Sequence, residues 1–139
     1  MDYILLDGDT ALFLPNFGPA TVVPRPGTLQ GSGPSKYNGK PVCVEGDEGQ
    51  LQVPGCMYVS GAFSVPGTGT LKIDRLASNQ VAQHTKSGGK KMLLKGGTFQ
   101  AKFEVQSPAM DSNGVPDPMN QYPGGTGQFI TANTKYKGT

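Results

Sequence analysis

Few side chains of this 139-residue sequence could carry nucleophilic or metal chemistry. There are two cysteines, Cys43 and Cys56, and a single histidine, His84. A hydrolase built on Cys and His would need a thiol beside His84 and an orienting carboxylate, and nothing in the sequence brings these groups together. His84 is open to three interpretations: a surface residue, a core residue with both ring nitrogens satisfied, or a ligand beside Cys56.

Two aspartates are candidates for a second kind of chemistry, because paired carboxylates can act as general acid and base. Asp9 and Asp47, however, each follow a glycine, and aspartate is common in turns because its side chain bonds to nearby backbone. The Gly67-Thr68-Gly69 stretch lacks the lysine and the helix of a phosphate-binding loop. We therefore predict that the chain is not an enzyme and has neither catalytic nor cofactor-binding residues.

The elements around these residues are predicted to be β-strands in one domain, residues 1–139, a length that suits a single core. The sequence has 21 Gly and 12 Pro, which punctuate short apolar runs as in strands joined by tight turns. Residues 98–106 alternate apolar and polar side chains and predict a strand with one buried face. Residues 71–87 predict a short helix or an irregular excursion, and residues 111–125 predict a surface loop.

Charge and apolar length exclude several classes of protein. The formal net charge is +2, and the lysines are scattered, so we expect no nucleic-acid partner. The N-terminus lacks the features of a signal peptide, and no apolar run approaches the ~20 residues that span a bilayer. Two cysteines do not make a disulfide framework. Synthesis in the cytoplasm with reduced thiols is therefore expected.

The sequence also contains three diverged copies of one unit. Residues 39–47 align without a gap with residues 89–97, and residues 3–9 repeat the same apolar run and glycine turn. Gly8 thereby aligns with Gly46 and Gly96. Each copy continues with a strand that ends at a proline (Pro15, Pro54, Pro108) and a second glycine turn that leads into another strand (residues 26–29, 67–71, 125–129). We therefore predict an all-β domain of three pseudo-threefold-related units.

This repeat aligns Cys43 with Leu5 and Leu93, a position that favours a small buried hydrophobic residue. A body with approximate threefold symmetry can also match the end of a homotrimer, with one unit facing each protomer. The repeat therefore predicts one copy of this chain per trimer.

Specific residues resemble a known family. Residues 38–47, Asn-Gly-Lys-Pro-Val-Cys-Val-Glu-Gly-Asp, followed by Pro54-Gly55-Cys56 and by residues 66–71, resemble the repeat of PAAR proteins. Asp7-Gly8-Asp9 and residues 127–130 resemble the PAAR-like tip proteins of phage-tail-like injection particles.

The resemblance implies a small conical β domain that caps and sharpens the trimeric, β-helical spike of a contractile injection system. Its apex would lead the puncture of a membrane that it contacts only transiently, while sheath contraction supplies the work. The protein would then be part of an injection particle, anchored or released extracellularly. Some members of this class carry effector cargo, which we expect here to be a separate chain.

The resemblance also raises the question of zinc, which PAAR proteins bind near the apex through His and Cys residues. The residues two positions past the repeat prolines are Phe17, Cys56 and Met110, of which only Cys56 could be a ligand. A structural zinc site needs about four ligands. We therefore predict no metal and an apex filled by apolar packing of these three side chains. The alternative is a zinc site that recruits Cys43, Cys56 and His84.

Two other classes of function are considered. A small β-sandwich that acts as a carbohydrate-binding or adhesion module of a phage-like particle usually presents aromatic platforms, and this chain has no Trp and five Tyr. A metal-dependent enzyme is the third class, and no motif in the sequence favours it.

Overall fold

The computed structural model describes residues 2–139 as an almost entirely β fold, which confirms the predicted class. Two short 3-10 helices, Asp47–Gln50 and Ser78–Gln80, interrupt the strands, and no helix in the described part of the chain is long and apolar enough to cross a membrane. The strands are β1 Asp2–Tyr3, β2 Thr10–Phe13, β3 Asn16–Phe17, β4 Ala20–Val22, β5 Gly27–Thr28, β6 Lys36–Tyr37, β7 Lys40–Pro41, β8 Gln52–Ser60, β9 Phe63–Arg75, β10 Val81–Ser87, β11 Lys90–Leu93, β12 Phe99–Ser107, β13 Gln121–Ile130 and β14 Lys137–Gly138.

Three antiparallel hairpins build the main body of the molecule. In hairpin 1, residues 10–28, β2 and β3 are successive parts of the first strand, and β4 and β5 are parts of the second. Hairpin 2 pairs β8 with β9, and hairpin 3 pairs β12 with β13. The alternating apolar residues of β12 were predicted as a strand, and Phe99, Ala101 and Phe103 are fully buried.

The hairpins close into a barrel in which each one pairs with the next. The second strand of hairpin 1 pairs with β8, β9 pairs with β12, and β13 returns to pair with β2. The sheet runs in the order β3-β4-β8-β9-β12-β13-β2-β5 and closes on itself, because its first and last strands belong to one hairpin. Closure gives every hairpin strand a partner on both sides, which protects backbone groups that an open sheet would expose.

Aromatic side chains fill the barrel. Rings from neighbouring hairpins contact one another: Phe13 lies 5.4 Å from Phe99 and Tyr58 lies 5.1 Å from Phe103, measured between ring centroids. Offset and edge-on contacts of this kind stabilise beyond the burial of area alone. The buried rings of this core are those of Phe13, Phe17, Tyr58, Phe99, Phe103, Tyr122 and Phe129.

Glycines in the second strands make room for these rings. A Cβ atom at Gly69 would overlap the Phe103 ring of the next hairpin, and one at Gly125 would overlap the Phe17 ring. The prediction that residues 67–71 and 125–129 form turns is therefore wrong. They lie inside β9 and β13, where the absence of a side chain permits close packing.

Two other segments also differ from expectation. Residues 71–87 form no α-helix: they complete β9, pass through the 3-10 helix at Ser78–Gln80 and continue as β10. The predicted loop over residues 111–125 ends earlier, because β13 begins at Gln121. In both segments the strand pairs with distant partners, and such pairing outweighs local propensity.

Gly127→Ala should destabilise the barrel by roughly 1–3 kcal/mol, the usual cost of overpacking a core. Its Cβ would collide with the Leu12 carbonyl oxygen and the Phe99 ring. The matched control is Gly49→Ala, because no heavy atom lies within 4 Å of a Cβ at that position. The control should stay within about 0.5 kcal/mol of the parent. Urea denaturation of both variants measures the difference, and equal stabilities would contradict a tightly packed barrel.

Candidate functional site

One end of the barrel is closed by a ring of three backbone segments, residues 4–6, 42–44 and 92–94. The Leu5 N–H donates to the Leu93 carbonyl, the Leu93 N–H to the Cys43 carbonyl and the Cys43 N–H to the Leu5 carbonyl, each at 2.9 Å. We call these three residues the central ring. Their side chains are fully buried and join the aromatic core. Each segment runs on into the first strand of a hairpin, so the ring lies at the barrel end opposite the hairpin turns.

A second set of hydrogen bonds also links the three segments in a cycle, but its donors and acceptors follow one another in the reverse direction. The N–H groups of Asp7, Glu45 and Lys95 donate to the carbonyls of Pro41, Lys91 and Tyr3, at 2.8, 2.8 and 2.9 Å. The flanking bridges are equally cyclic, joining Leu6 to Val42, Val44 to Met92 and Leu94 to Ile4. The three predicted units are therefore related by a pseudo-threefold axis. Gly8, Gly46 and Gly96 follow the ring at equivalent positions, all with positive φ.

The residues on either side of the central ring face away from the barrel. Side chains alternate along an extended segment, so Leu5 points inward while Ile4 and Leu6 point outward. The outward-facing side chains form a second buried cluster, the outer layer, which consists of Ile4, Leu6, Val42, Val44, Ala82, Met92 and Leu94. Tyr37 and Tyr136 pack against the outer layer and stack with ring centroids 4.1 Å apart. The ring end of the molecule is therefore wider than the barrel alone.

The two aspartates singled out in the sequence stabilise this ring. The Asp9 carboxylate accepts the Leu6 N–H at 2.7 Å, and the Asp47 carboxylate accepts the Val44 N–H at 2.8 Å. In the third unit Gly97 stands at this position, and the Leu94 N–H donates instead to the Gln80 carbonyl at 2.8 Å. The carboxylates thus complete turns, as predicted.

Three short antiparallel strand pairs surround the ring: β6 with β7, β10 with β11, and β14 with β1. The first two are hairpins, and the third joins the first and last strands of the chain. We call the surface that they form the ring face. Lys36 lies opposite Pro41, Lys86 opposite Lys91 and Lys137 opposite Tyr3. Pro41, Lys91 and Tyr3 occupy equivalent positions in the three units. The lysines that lie opposite them are therefore equivalent too. All three are exposed.

The opposite end, which we call the turn face, lacks this symmetry. Hairpins 1 and 2 turn within residues 18–19 and 61–62, whereas hairpin 3 turns through the long loop of residues 108–120. Within that loop Met110 bridges to Val65 and to Pro116. The loop therefore covers one part of the barrel end and has no counterpart in the other two units.

A buried carboxylate holds this loop in place. The hydroxyls of Tyr58 and Tyr122 both donate to Asp117 Oδ2, the first at 2.9 Å, and the Met119 N–H donates to Oδ1 at 3.0 Å. The Tyr58 hydroxyl also accepts the Ala109 N–H at 3.0 Å. Burial raises the pKa of Tyr58 to about 12, with a further contribution from Asp117, and it raises the pKa of Tyr122 as well. Both phenols therefore keep the protons that they donate.

The structure does not bring Cys43, Cys56 and His84 together. Cys43 belongs to the central ring, and Cys56 is buried in β8 with its Sγ 3.6 Å from the Val53 carbonyl. His84 is exposed on β10, where it lines an open groove with Asp2 and Thr139. Over residues 2–139 no three His, Cys, Asp or Glu side chains are grouped to hold a metal ion.

The predicted apex cluster of Phe17, Cys56 and Met110 is wrong. Phe17 ends β3 just before the turn, Cys56 lies in the middle of β8, and Met110 lies in the long loop with 42% of its surface exposed. Of the prolines that served to align them, Pro54 lies inside β8, whereas Pro108 follows the end of β12. The residues that do stabilise the turn face, Tyr58 and Asp117, are 59 positions apart and carry no local sequence signal.

Both cysteines should resist thiol reagents in the native protein. Burial raises the pKa of the Cys43 thiol far above its ordinary range, and the carboxylates of Asp47 and Asp9 raise it further, so the reactive thiolate is scarce. Cys56 is buried and also inaccessible.

The measurement is reaction with a disulfide reagent before and after denaturation in guanidinium. We expect both thiols to react only after denaturation. Ser112→Cys, at an exposed loop position, should react at once and serves as the positive control. Rapid reaction of Cys43 in the native Cys56→Ala variant would contradict the closed ring.

Comparison with known proteins gives one full-length match. The family model described as contractile injection system spike tip protein matches residues 1–139. No curated protein matches the chain. The match agrees with the resemblance seen in residues 38–47 and with the repeated β units. This chain belongs to the contractile injection system spike tip family.

Proposed function

We propose that this chain, as a single domain over residues 1–139, caps and sharpens the trimeric β-helical spike of a contractile injection system. The ring face sits on the end of the spike, and the turn face leads. The observation that carries the proposal is the cyclic hydrogen bonding of Leu5, Cys43 and Leu93, which gives one chain the symmetry of a trimer.

The choice between the two ends follows from symmetry. A trimer presents three identical surfaces around its axis, and a monomer complements all three only if its own surface repeats threefold. The ring face repeats in this way through its three short strand pairs. The turn face does not, because the loop of residues 108–120 occurs in one unit alone.

The proposed role is mechanical. The barrel strands are paired on both sides, and the aromatic core is tightly packed, so the body is suited to transmit force without exposing strand edges. Seated on a spike, it would also cover the open strand ends of the trimer. Sheath contraction would supply the work, and the target membrane would be contacted only during puncture. No step requires a catalytic group.

The alternative of a carbohydrate-binding or adhesion module has less support. Such a module needs aromatic side chains on an exposed platform. Tyr58 and Tyr122 are buried instead, and Tyr37 and Tyr136 stack on each other over the outer layer.

The first test is stoichiometry. Native mass spectrometry of the complex with the purified trimeric spike protein should show one copy of this chain per trimer. Three copies per trimer would reject the symmetry argument, and the absence of any complex would reject the proposed function. A spike trimer that lacks its terminal segment provides the control and should bind no copy.

We also propose that the fold needs no metal, because hydrogen bonds and apolar packing stabilise both ends of the barrel. A structural zinc contributes on the order of 10 kcal/mol to small domains that depend on it. A chelator should therefore leave the melting temperature unchanged, and elemental analysis should find no stoichiometric zinc. One equivalent of zinc together with a large chelator-induced drop would overturn this proposal. Cys56→Ala and His84→Ala would then identify the ligands.

A further inference from the structure

We propose that the spike end that receives the ring face is acidic, and that ion pairs to Lys36, Lys86 and Lys137 fix the tip on the trimer. This inference rests on the proposed function, and it adds the chemistry of the partner surface. It concerns three charges at threefold-equivalent positions, one on each short strand pair.

Positive charge is concentrated at the ring end. Eight of the 12 Lys and Arg residues lie within residues 36–40, 86–95 and 135–137, which belong to the ring segments and their hairpins or directly flank them. The other four lie in the barrel hairpins. Six of the 10 Asp and Glu residues lie at the same end: Asp2, Asp7, Asp9, Glu45, Asp47 and Glu48. Whether the lysines are neutralised there therefore depends on what these carboxylates contact.

The carboxylates of this end are largely engaged with the backbone. Asp9 and Asp47 are buried in the ring turns, Asp7 accepts the Gly31 N–H at 2.9 Å, and Asp2 accepts the Gly96 N–H at 2.9 Å. Across residues 2–139 the ion pairs between side chains are confined to the barrel wall, where Lys72 and Lys102 meet Glu104. The lysines of the ring face thus have no carboxylate partner in the described structure.

The fold itself does not explain these lysines. Lys86 lies directly opposite Lys91 in the β10–β11 pair, and like charges at facing positions destabilise a sheet. Lys36 faces Pro41, which offers it no charge or acceptor side chain. Only Lys137 has a favourable neighbour, the Tyr3 ring, with its Nζ 4.8 Å from the ring centroid. Lys36 and Lys86 gain no such contact, and a charge that nevertheless recurs in all three units points to a partner outside the chain.

The symmetry of the three charges favours a trimer over other acidic partners. The three lysines occupy register positions related by the pseudo-threefold axis, so one carboxylate on each spike protomer suffices to pair all three. Anionic lipid or nucleic acid would bind a basic patch without requiring this repetition. Charge complementarity of this kind speeds association and fixes orientation.

The test compares two triple variants with the same change in charge. Lys36→Gln/Lys86→Gln/Lys137→Gln removes the ring-face charges, and Lys72→Gln/Arg75→Gln/Lys102→Gln removes three from the barrel wall. The first should weaken binding to the purified trimeric spike protein roughly tenfold or more, given the usual strength of exposed ion pairs. The control should bind within about threefold of the parent, and circular dichroism should confirm that both variants fold.

Three further measurements complete the test. Binding of the parent should weaken as salt rises, and the ring-face variant should lose most of this dependence. A zero-length carbodiimide should link Lys36, Lys86 or Lys137 to Asp or Glu of the spike. Vesicles with and without anionic lipid test the membrane alternative.

The outcomes separate the two proposals. If the parent binds the spike as one copy per trimer, but both triple variants bind equally and salt has no effect, the acidic partner is rejected and the proposed function stands. If the ring-face variant loses only vesicle binding, the lysines serve a membrane and this inference is wrong. If the parent does not bind the spike at all, both proposals fail.

Discussion

The fold depends on a closed cycle of three hydrogen bonds, which is complete only when all three units come together. Leu5, Cys43 and Leu93 each donate an N–H to one neighbour and offer a carbonyl to the other. These groups are buried, where an unpaired backbone donor costs about 1–3 kcal/mol. All three segments must therefore meet at once, and the pseudo-threefold arrangement follows from this closure. The hairpins that leave the ring inherit its cyclic order and pair with one another around the barrel.

This closure explains why glycine and large aromatic residues occur together in the sequence. A narrow barrel that admits a ring from each hairpin has no space for side chains on the facing strand. Gly69 accommodates Phe103 of the next hairpin, and Gly125 accommodates Phe17. The glycines therefore serve two purposes: those that face the core inside β9 and β13 permit close packing, and 11 of the 21, Gly8 and Gly46 among them, adopt positive φ.

The parts of the structure that were predictable are those specified by short local patterns. An apolar run followed by glycine and aspartate identified the ring segments and the repeat, and alternation identified β12. Glycines within β9 and β13 were taken for turns, because a sequence does not distinguish a glycine that permits a turn from one that permits close packing. Phe17 and Met110 were aligned by prolines that fall at unrelated places. The contact between Tyr58 and Asp117 depends on a loop that folds back over a distant hairpin, and no local pattern encodes it.

The two ends of the molecule are under different constraints, and the barrel keeps them independent. In the proposed assembly, a change in one unit of the ring face would break its match to one protomer of the trimer, so all three units must stay alike there. No such requirement acts on the turn face. The loop of residues 108–120 adds material to one hairpin only, and its contacts through Asp117 and Met110 stay at that end of the barrel. The central ring, several residues away along every strand, is unaffected by it. In the proposed assembly, a single chain therefore keeps threefold symmetry where it meets the spike and departs from it at the leading end.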